Sequence, residues 1–382
     1  MTSCVLAAEE MIDDLRAASD AIEVARRIPE EWSRRFARAG FYRLCVPEVY
    51  GGLEAAPMQS MRVIETLARA DGSAAWVVFI GATSGSVLAY LPAESCREIF
   101  HDPEVMLAGV FAPRGKAIAV EGGFQVNGRW QWGSGTQNAD WVMGGCQVVR
   151  DGVPESMPNG APRSRMMLAP KTEIEFFDTW HVAGLCGTGS TDFAIHDLFV
   201  PESRALGLAG GESIQAPLYA FPQFGLLAMG IAAVTLGLAR AAIDELVGLA
   251  AAKTPSGSAR SLANRPRTQA DVSSAEAMLR SVRSFFYETV EQAYESAKVE
   301  GRLSVESRRD VRLATSHAVG ESGKAVDLMY RLAGGSSVYR HSPLQRIFQD
   351  VHVASQHMMV APAILELTGR LFLGLETDTA LL

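Results

Sequence analysis

Three stretches of this chain combine residue types that can handle a flat, reactive ligand. The first is Trp132-Gly133-Ser134-Gly135-Thr136. Tryptophan offers a stacking wall, glycine lets backbone approach a planar group closely, and hydroxyls both donate and accept. A decorated sheet corner has the same composition, so the pattern alone leaves both readings open. The second runs from Trp180 to Ser190, where Gly187 and Gly189 alternate with Thr188 and Ser190. Its Gly-Thr-Gly-Ser is no dinucleotide fingerprint, because no strand–helix–strand unit surrounds it. The third is Arg346, Asp350 and His357, spaced four and seven residues apart, offsets that return to one helix face. His352 lies about 140° round from His357 on such a helix and reads as structural. An imidazole titrates near neutrality and can exchange a proton with a hydroxyl; a packed core histidine is the alternative. Arg265, Arg267 and Arg283 are candidates to grip a phosphate, or simply to face solvent.

The elements that must position these groups fall into three textures. Residues 7–40 read as two helices divided near Pro29, and Leu44-Cys45-Val46-Pro47 as an extended stretch. Helix resumes over 58–69 and again from Ser73, whose hydroxyl is the expected cap. The uncharged run 72–93 is long enough to cross a membrane. Its glycines and hydroxyls favour a buried helix instead, and Trp76, Phe79 and Tyr90 on it read as core or as a substrate wall. From about 105 to 204 the segments shorten, β-branched and aromatic residues rise, and Asn127-Gly128 predicts a hairpin turn. Six to eight strands are expected, with the polar stretch 151–163 as a surface loop. Beyond Pro222 the pattern is helical, over 226–252, 272–290, 305–333 and 344–373, with a Pro/Ser/Arg-rich connector at 253–267. The expected organisation is a mainly α protein with a central β-domain: a helical domain 1–105, a barrel-like β-domain 106–210 and a four-helix bundle 211–382.

Composition removes several function classes. At 382 residues and 48% hydrophobic, the chain can bury a large core. A net charge of -8 without a basic block argues against nucleic acid as a partner. The five cysteines are scattered without metal-ligand spacing and read as free thiols of a reducing, cytoplasmic setting. Acidic residues from Glu9 onward speak against a signal peptide.

The order of these motifs resembles the acyl-CoA dehydrogenase superfamily over nearly the full chain. Trp132-Gly133-Ser134-Gly135 matches the stretch that lines the flavin ring there, and Trp180 to Ser190 its second flavin-proximal motif. Gly109-Val110-Phe111-Ala112-Pro113-Arg114-Gly115-Lys116-Ala117 and the run from Ser342 to His357 are similar to the two-component, reduced-flavin-dependent (group D) monooxygenases. The sequence departs from some of that branch in having no histidine between His101 and His181.

The resemblance implies an oxygenase that takes reduced FMN or FAD and O2 and hydroxylates an aromatic or polycyclic, phenol-like substrate through a C4a-hydroperoxyflavin. It implies a separate NAD(P)H:flavin reductase and a homotetramer, with no nucleic-acid or membrane partner. His357 is then placed over the isoalloxazine, Ser134 at its C4a/N5 edge, and Asp350 as the carboxylate that orients the imidazole or the loop beside it. Trp132 and Gly133 wall the ring. Trp180, Gly187, Thr188 and Ser190 are expected to contact the flavin; Arg265, Arg283 and Arg346 are further cofactor-binding candidates. An acyl-CoA dehydrogenase, for which Glu366 and Glu376 are available bases, stays open, as does nitrogen or sulfur oxygenation.

Overall fold

The computed structural model describes residues 3–157, 160–207 and 214–382. The expected domain limit at 210/211 and residues 158–159 of the polar loop lie outside the described residues. Five helices come first: α1 Ser3–Ala25, α2 Glu30–Arg38, α3 Pro57–Ala68, α4 Gly72–Gly85 and α5 Ala93–Ile99. Leu44 to Pro47 does not run as an extended strand. Gly40 and Gly51 adopt φ of +80° and +86°, and the chain doubles back so that Leu53, Glu54 and Ala55 donate to the Arg43, Val46 and Leu44 carbonyls. Left-handed pivots of this kind favour glycine.

Helix α4 organises the site. Its cap is Asp71, which accepts from the Ala74 N–H at 2.8 Å, and not Ser73, which is used elsewhere. A helix that is apolar all round belongs inside a protein. The segments Gly72–Tyr90 and Gln223–Ala252 are long and apolar enough to cross a membrane, and both are 94% buried in this fold. Close packing relies on small residues: a Cβ at Gly230 would lie 2.5 Å from the Phe79 ring.

The middle of the chain forms one sheet from β1 Leu107–Val120, β2 Gly123–Trp130, β3 Trp141–Arg150, β4 Val153–Pro154, β5 Ser164–Pro170, β6 Glu175–Phe177, β7 Asp192–Pro201 and β8 Ala205–Gly207. Its order is β6-β7-β2-β1-β3-β5-β8, with β4 on β3, and β1 pairs with β3 in parallel. The hairpin joining β1 to β2 turns at Glu121-Gly122, where Gly122 has φ +78°. Asn127-Gly128, expected as a hairpin turn, lies inside β2 at an irregularity in its pairing with β7. Two needs explain it. A Cβ at Gly128 would lie 2.7 Å from the Trp130 indole, and the Asn127 side chain accepts from the Asp197 N–H at 2.8 Å.

The C-terminal part comprises α6 Gln223–Ala252, α7 Pro266–Glu300, α8 Val305–Ala333, α9 Pro343–Ala354 and α10 Pro362–Phe372. The expected helix over 344–373 is therefore two. The chain leaves α9 after Ala354, takes a short 3-10 turn over Met358–Val360, and restarts with Pro362, which suits a first helical turn. The stripe Ala275, Leu279, Val282, Phe286 and Val290 on α7 is buried within the chain itself.

Candidate active site

Four segments distant in sequence meet beside α4: the turn 131–140 after β2, the loop 180–190 before β7, the end of α9, and the His357–Val360 turn. Loop 180–190 is clamped from two sides. The Gly187 N–H donates to the Ser73 hydroxyl at 3.1 Å, and the Leu185 N–H to Asp350 Oδ1 at 2.5 Å. Leu185 is left-handed at φ +51°, and Trp180 Nε1–H reaches its carbonyl at 3.1 Å. Gly184 and Gly187 admit this approach. A Cβ on the first would lie 2.4 Å from the Gln349 backbone, and on the second 2.2 Å from Ile22.

Within this clamp the hydroxyls form one chain. Trp76 Nε1–H donates to Ser134 Oγ at 3.1 Å; Ser134 and Ser190 are 2.6 Å apart, Ser190 and Thr188 2.6 Å, and Thr188 Oγ1 is 2.8 Å from the Leu185 carbonyl. Three oxygen–oxygen gaps have three hydroxyl protons to fill them, since a carbonyl brings none. The assignment is unique: Thr188 donates to Leu185, Ser190 to Thr188, and Ser134 to Ser190. Ser134 has thus spent its proton and one lone pair, and one lone pair is left to accept. Ser134 is 9% exposed and Thr188 only 1%, so the open end of the chain is Ser134.

His357 is not on the α9 face with Arg346 and Asp350, because the helix has already ended. It caps the following turn, and its Nδ1 accepts from the Met359 N–H at 3.2 Å. The neutral ring then carries its proton on Nε2 and is a donor on that side. Burial, helped by the Arg312 charge, pushes its pKa down to about 4. His357 is expected to titrate below pH 5, so the pH profile of coupled product formation between 5.5 and 7.5 should be the same in His357→Gln as in the parent, at lower amplitude. A limb near 6.5 present only in the parent would contradict this. The ring lies 6.0 Å from Trp76, which stands edge-on to Phe79 at 4.8 Å.

Among the described residues Asp350 bonds the Leu185 N–H and not His357. It is fully buried, and burial, with the Asp71 charge adding, pushes its pKa up to about 8 against the opposing Leu185 hydrogen bond. His352 pairs with Asp327 at 2.8 Å. Trp132 projects from a left-handed residue, φ +64°, and is 69% exposed. Such strain in an exposed aromatic beside buried polar groups marks functional sites.

The arginines divide. Arg346 is paired with Glu23 at 2.9 Å and with Asp20, which ties α9 to α1. Arg283 is paired with Glu65 at 2.6 Å, and Tyr287 donates to the same carboxylate at 2.6 Å. Arg267 pairs with Asp271 at 2.5 Å. Arg265 lines an open hollow of about 550 Å³ together with Arg260, Arg267 and Arg331. Among the described residues Arg260, Arg265 and Arg331 make no ion pair, so this hollow is a basic surface free to take an anion. Glu366 and Glu376 are exposed on the C-terminal segment.

One residue here was read only in part, and another escaped the sequence reading. Trp76 was legible as a wall but not as a hydrogen-bond donor to a serine 58 residues away. Arg312 on α8 is fully buried. Its signal was present, since it falls on the face carrying Thr315 and Val319, both also buried.

A helical domain, a central sheet and a terminal helical domain, in that order, define a fold of the acyl-CoA dehydrogenase type. Residues 6–98 match the N-terminal domain of acyl-CoA dehydrogenases and residues 229–362 the C-terminal domain. The chain is 34% identical to indole-3-acetate monooxygenase of Pseudomonas putida, over 96% of this chain and 93% of that one. It is 27% identical to the oxygenase component of an FADH2-dependent resorcinol hydroxylase from a Rhizobium species, over 95% and 92%. The crystal structure of 3-HSA hydroxylase from Rhodococcus sp. RHA1 superposes with a TM-score of 0.92 at 26% identity, covering 99% of both chains. The chain belongs to the acyl-CoA dehydrogenase superfamily, in its flavin-dependent monooxygenase branch. It is the oxygenase component of a two-component flavin-dependent hydroxylase that uses reduced flavin and O2, with a separate flavin reductase.

Proposed function

We propose that this oxygenase hydroxylates a planar aromatic compound of the indole or phenol type beside His357. The observation that carries this is the aromatic wall: Trp76 and Phe79 on α4 beside the imidazole, and Phe111 edge-on to Phe224 at 6.0 Å. Two of the relatives carry a planar aromatic substrate in their names, indole-3-acetate and resorcinol.

The residues present fit a reduced flavin. Ser134 offers an acceptor to a ring N–H, exposed Trp132 and the adjoining Gly133 offer a wall, and the hollow at Arg265 offers charge for a phosphate. When bound, reduced flavin supplies the electrons that activate O2. Thr188 and Ser190 act through Ser134, having no proton left to give. Trp180 and Gly187 hold the loop that carries them, and Asp350 positions that loop through Leu185. Arg283 and Arg346, already paired with carboxylates, belong to the frame. His357 presents an N–H donor to a substrate or oxygen atom, and the packed aromatic residues exclude water.

Two further parts of this reading concern the whole molecule. The homotetramer we propose would not use the α7 stripe, which is consumed inside the chain. It would use α10 and its continuation, where Leu365, Phe372, Leu373 and Leu375 are exposed. Light scattering should give four chains per particle, with Phe372→Glu lowering that number; a parent that is monomeric at all concentrations would refute it. All five cysteines are free, four of them buried, which supports the cytoplasm as the setting.

The activity test is direct. With a generic reductase, NADH and either flavin, indole-3-acetate or a phenol should gain one oxygen atom from O2. Reduction of protein-bound flavin by an acyl-CoA, with no oxygen incorporated, would overturn the proposal.

A further inference from the structure

Arg312 is a buried cation without an anion. Its Nη1 donates to the Phe224 carbonyl at 3.3 Å and its Nη2 faces the Met359 sulfur at 3.8 Å, while Nε has no partner. Among the described residues it forms no ion pair. Arg283 and Arg346, both partly buried, are by contrast each matched to a carboxylate. A guanidinium has five N–H groups in a flat fork that suits a carboxylate. Here two weak acceptors leave three of those groups idle, and an uncompensated interior charge is costly. The cost is visible on the side chain itself: burial pulls its pKa down to about 10.

The surroundings say which anion is missing. Phe224, whose carbonyl Arg312 touches, carries the ring that meets Phe111. Met359 is two residues from His357, whose ring faces Trp76. The guanidinium therefore stands behind the two segments that bear the aromatic wall. It is fully buried, so no group from outside the chain reaches it in this arrangement. The group its Nη2 faces is a thioether, a weak acceptor on three rotatable bonds.

We infer that Arg312 is the anchor for a carboxylate on the aromatic substrate, which reaches it when the Met359 side chain swings aside. The inference rests on the reading of the site as an aromatic hydroxylase and narrows its substrate to an aryl-alkanoate. The acid group would pair with the guanidinium fork, fixing how the ring lies beside the Nε2–H of His357. Affinity for the acid then exceeds that for the same ring lacking the charge.

The test uses the full-length chain with indole-3-acetate and its methyl ester, by titration calorimetry and by turnover with a flavin reductase. The parent is expected to bind the acid about 100-fold more tightly than the ester, the span of charge-assisted hydrogen bonds. Arg312→Met should bind the two alike, with ester affinity unchanged, and should melt no lower than the parent because it removes an unpaired charge. The acid should raise the melting temperature of the parent and leave that of Arg312→Met unmoved. If Arg312→Met does not fold, Arg312→Lys decides, with a preference for the acid cut about tenfold by loss of the fork. Equal binding and turnover of acid and ester by the parent, or an undiminished preference in either variant, would overturn the anchor while leaving the hydroxylase intact. Absence of oxygen transfer to any aromatic compound would instead strike the reading of function.

Discussion

Raising the pH from about 6.5 to 8 should cost this protein roughly 2 kcal/mol of stability through one side chain, and Asp350→Asn should abolish the loss. The folded carboxyl holds its proton to about 8, whereas an unfolded aspartate releases it near 3.9. Between those values the folded state binds more protons, so stability falls as pH rises and is fully present only below the unfolded pKa. His357 acts in the opposite sense. Its folded pKa is about 4 against roughly 6.5 unfolded, so its contribution is complete above 6.5 and is lost on acidification toward 4. From pH 4 to 6.5 the two slopes oppose and nearly cancel; above 6.5 only that of Asp350 remains. The parent's urea midpoint should therefore be flat and then fall, while that of Asp350→Asn should rise to 6.5 and then stay level. Asn keeps an acceptor for the Leu185 N–H, so folding at neutral pH is preserved. Identical pH profiles for the two proteins would show that Asp350 is ionised in the fold.

The second large effect is on flavin preference. A reduced flavin offers an N–H at the ring position where an oxidised flavin has only a lone pair. Ser134, with its proton committed to Ser190, can accept from the first and cannot donate to the second. The parent is expected to bind reduced flavin more tightly than oxidised by about tenfold, the worth of one hydrogen bond near 1 kcal/mol plus an avoided lone-pair clash. Thr188→Val removes the acceptor that holds Ser190. Ser190 is then free to turn its proton to Ser134, and Ser134 to turn its own outward. The ratio should collapse toward one, chiefly by tighter oxidised binding, and uncoupled hydrogen peroxide should increase. Ser134→Ala should lose the preference through weaker reduced binding instead. Anaerobic titration of both redox forms separates these cases. Unchanged affinities in Ser134→Ala would mean the serine does not meet the flavin. A change there with none in Thr188→Val would mean the chain does not direct it.

Much of the architecture was legible because each layer writes its own period: strand alternation over 105–204, helical spacing on either side. The grouping of Ser134 with Thr188 and Ser190 followed from motif order and stands in the structure as a 2.6 Å contact. What failed were arguments of pure spacing. Asn127-Gly128 has hairpin chemistry but answers to Trp130 packing and to the Asp197 N–H, both set by tertiary structure. His357 looked seven residues along a helix from Asp350, yet the helix ends at Ala354. Ser73 looked like a cap because local sequence does not disclose that its hydroxyl is wanted by Gly187, 114 residues on. Arg312 was passed over because an arginine among Arg308 and Arg309 reads as surface charge, and only its register against Thr315 and Val319 places it inside.

The hydroxyl chain has a consequence for proton traffic. A proton hops along hydroxyls only if the last oxygen can hand one onward, and the Leu185 carbonyl has none to release. Trp76 at the other end can donate but cannot receive. The row is therefore an insulator for protons and, at the same time, a fixed dipole whose negative end faces outward at Ser134. A group bound there keeps its hydrogen, because the partner that touches it has nowhere to send one. Such a dipole is set by the fold in advance and needs no rearrangement when charge develops beside it.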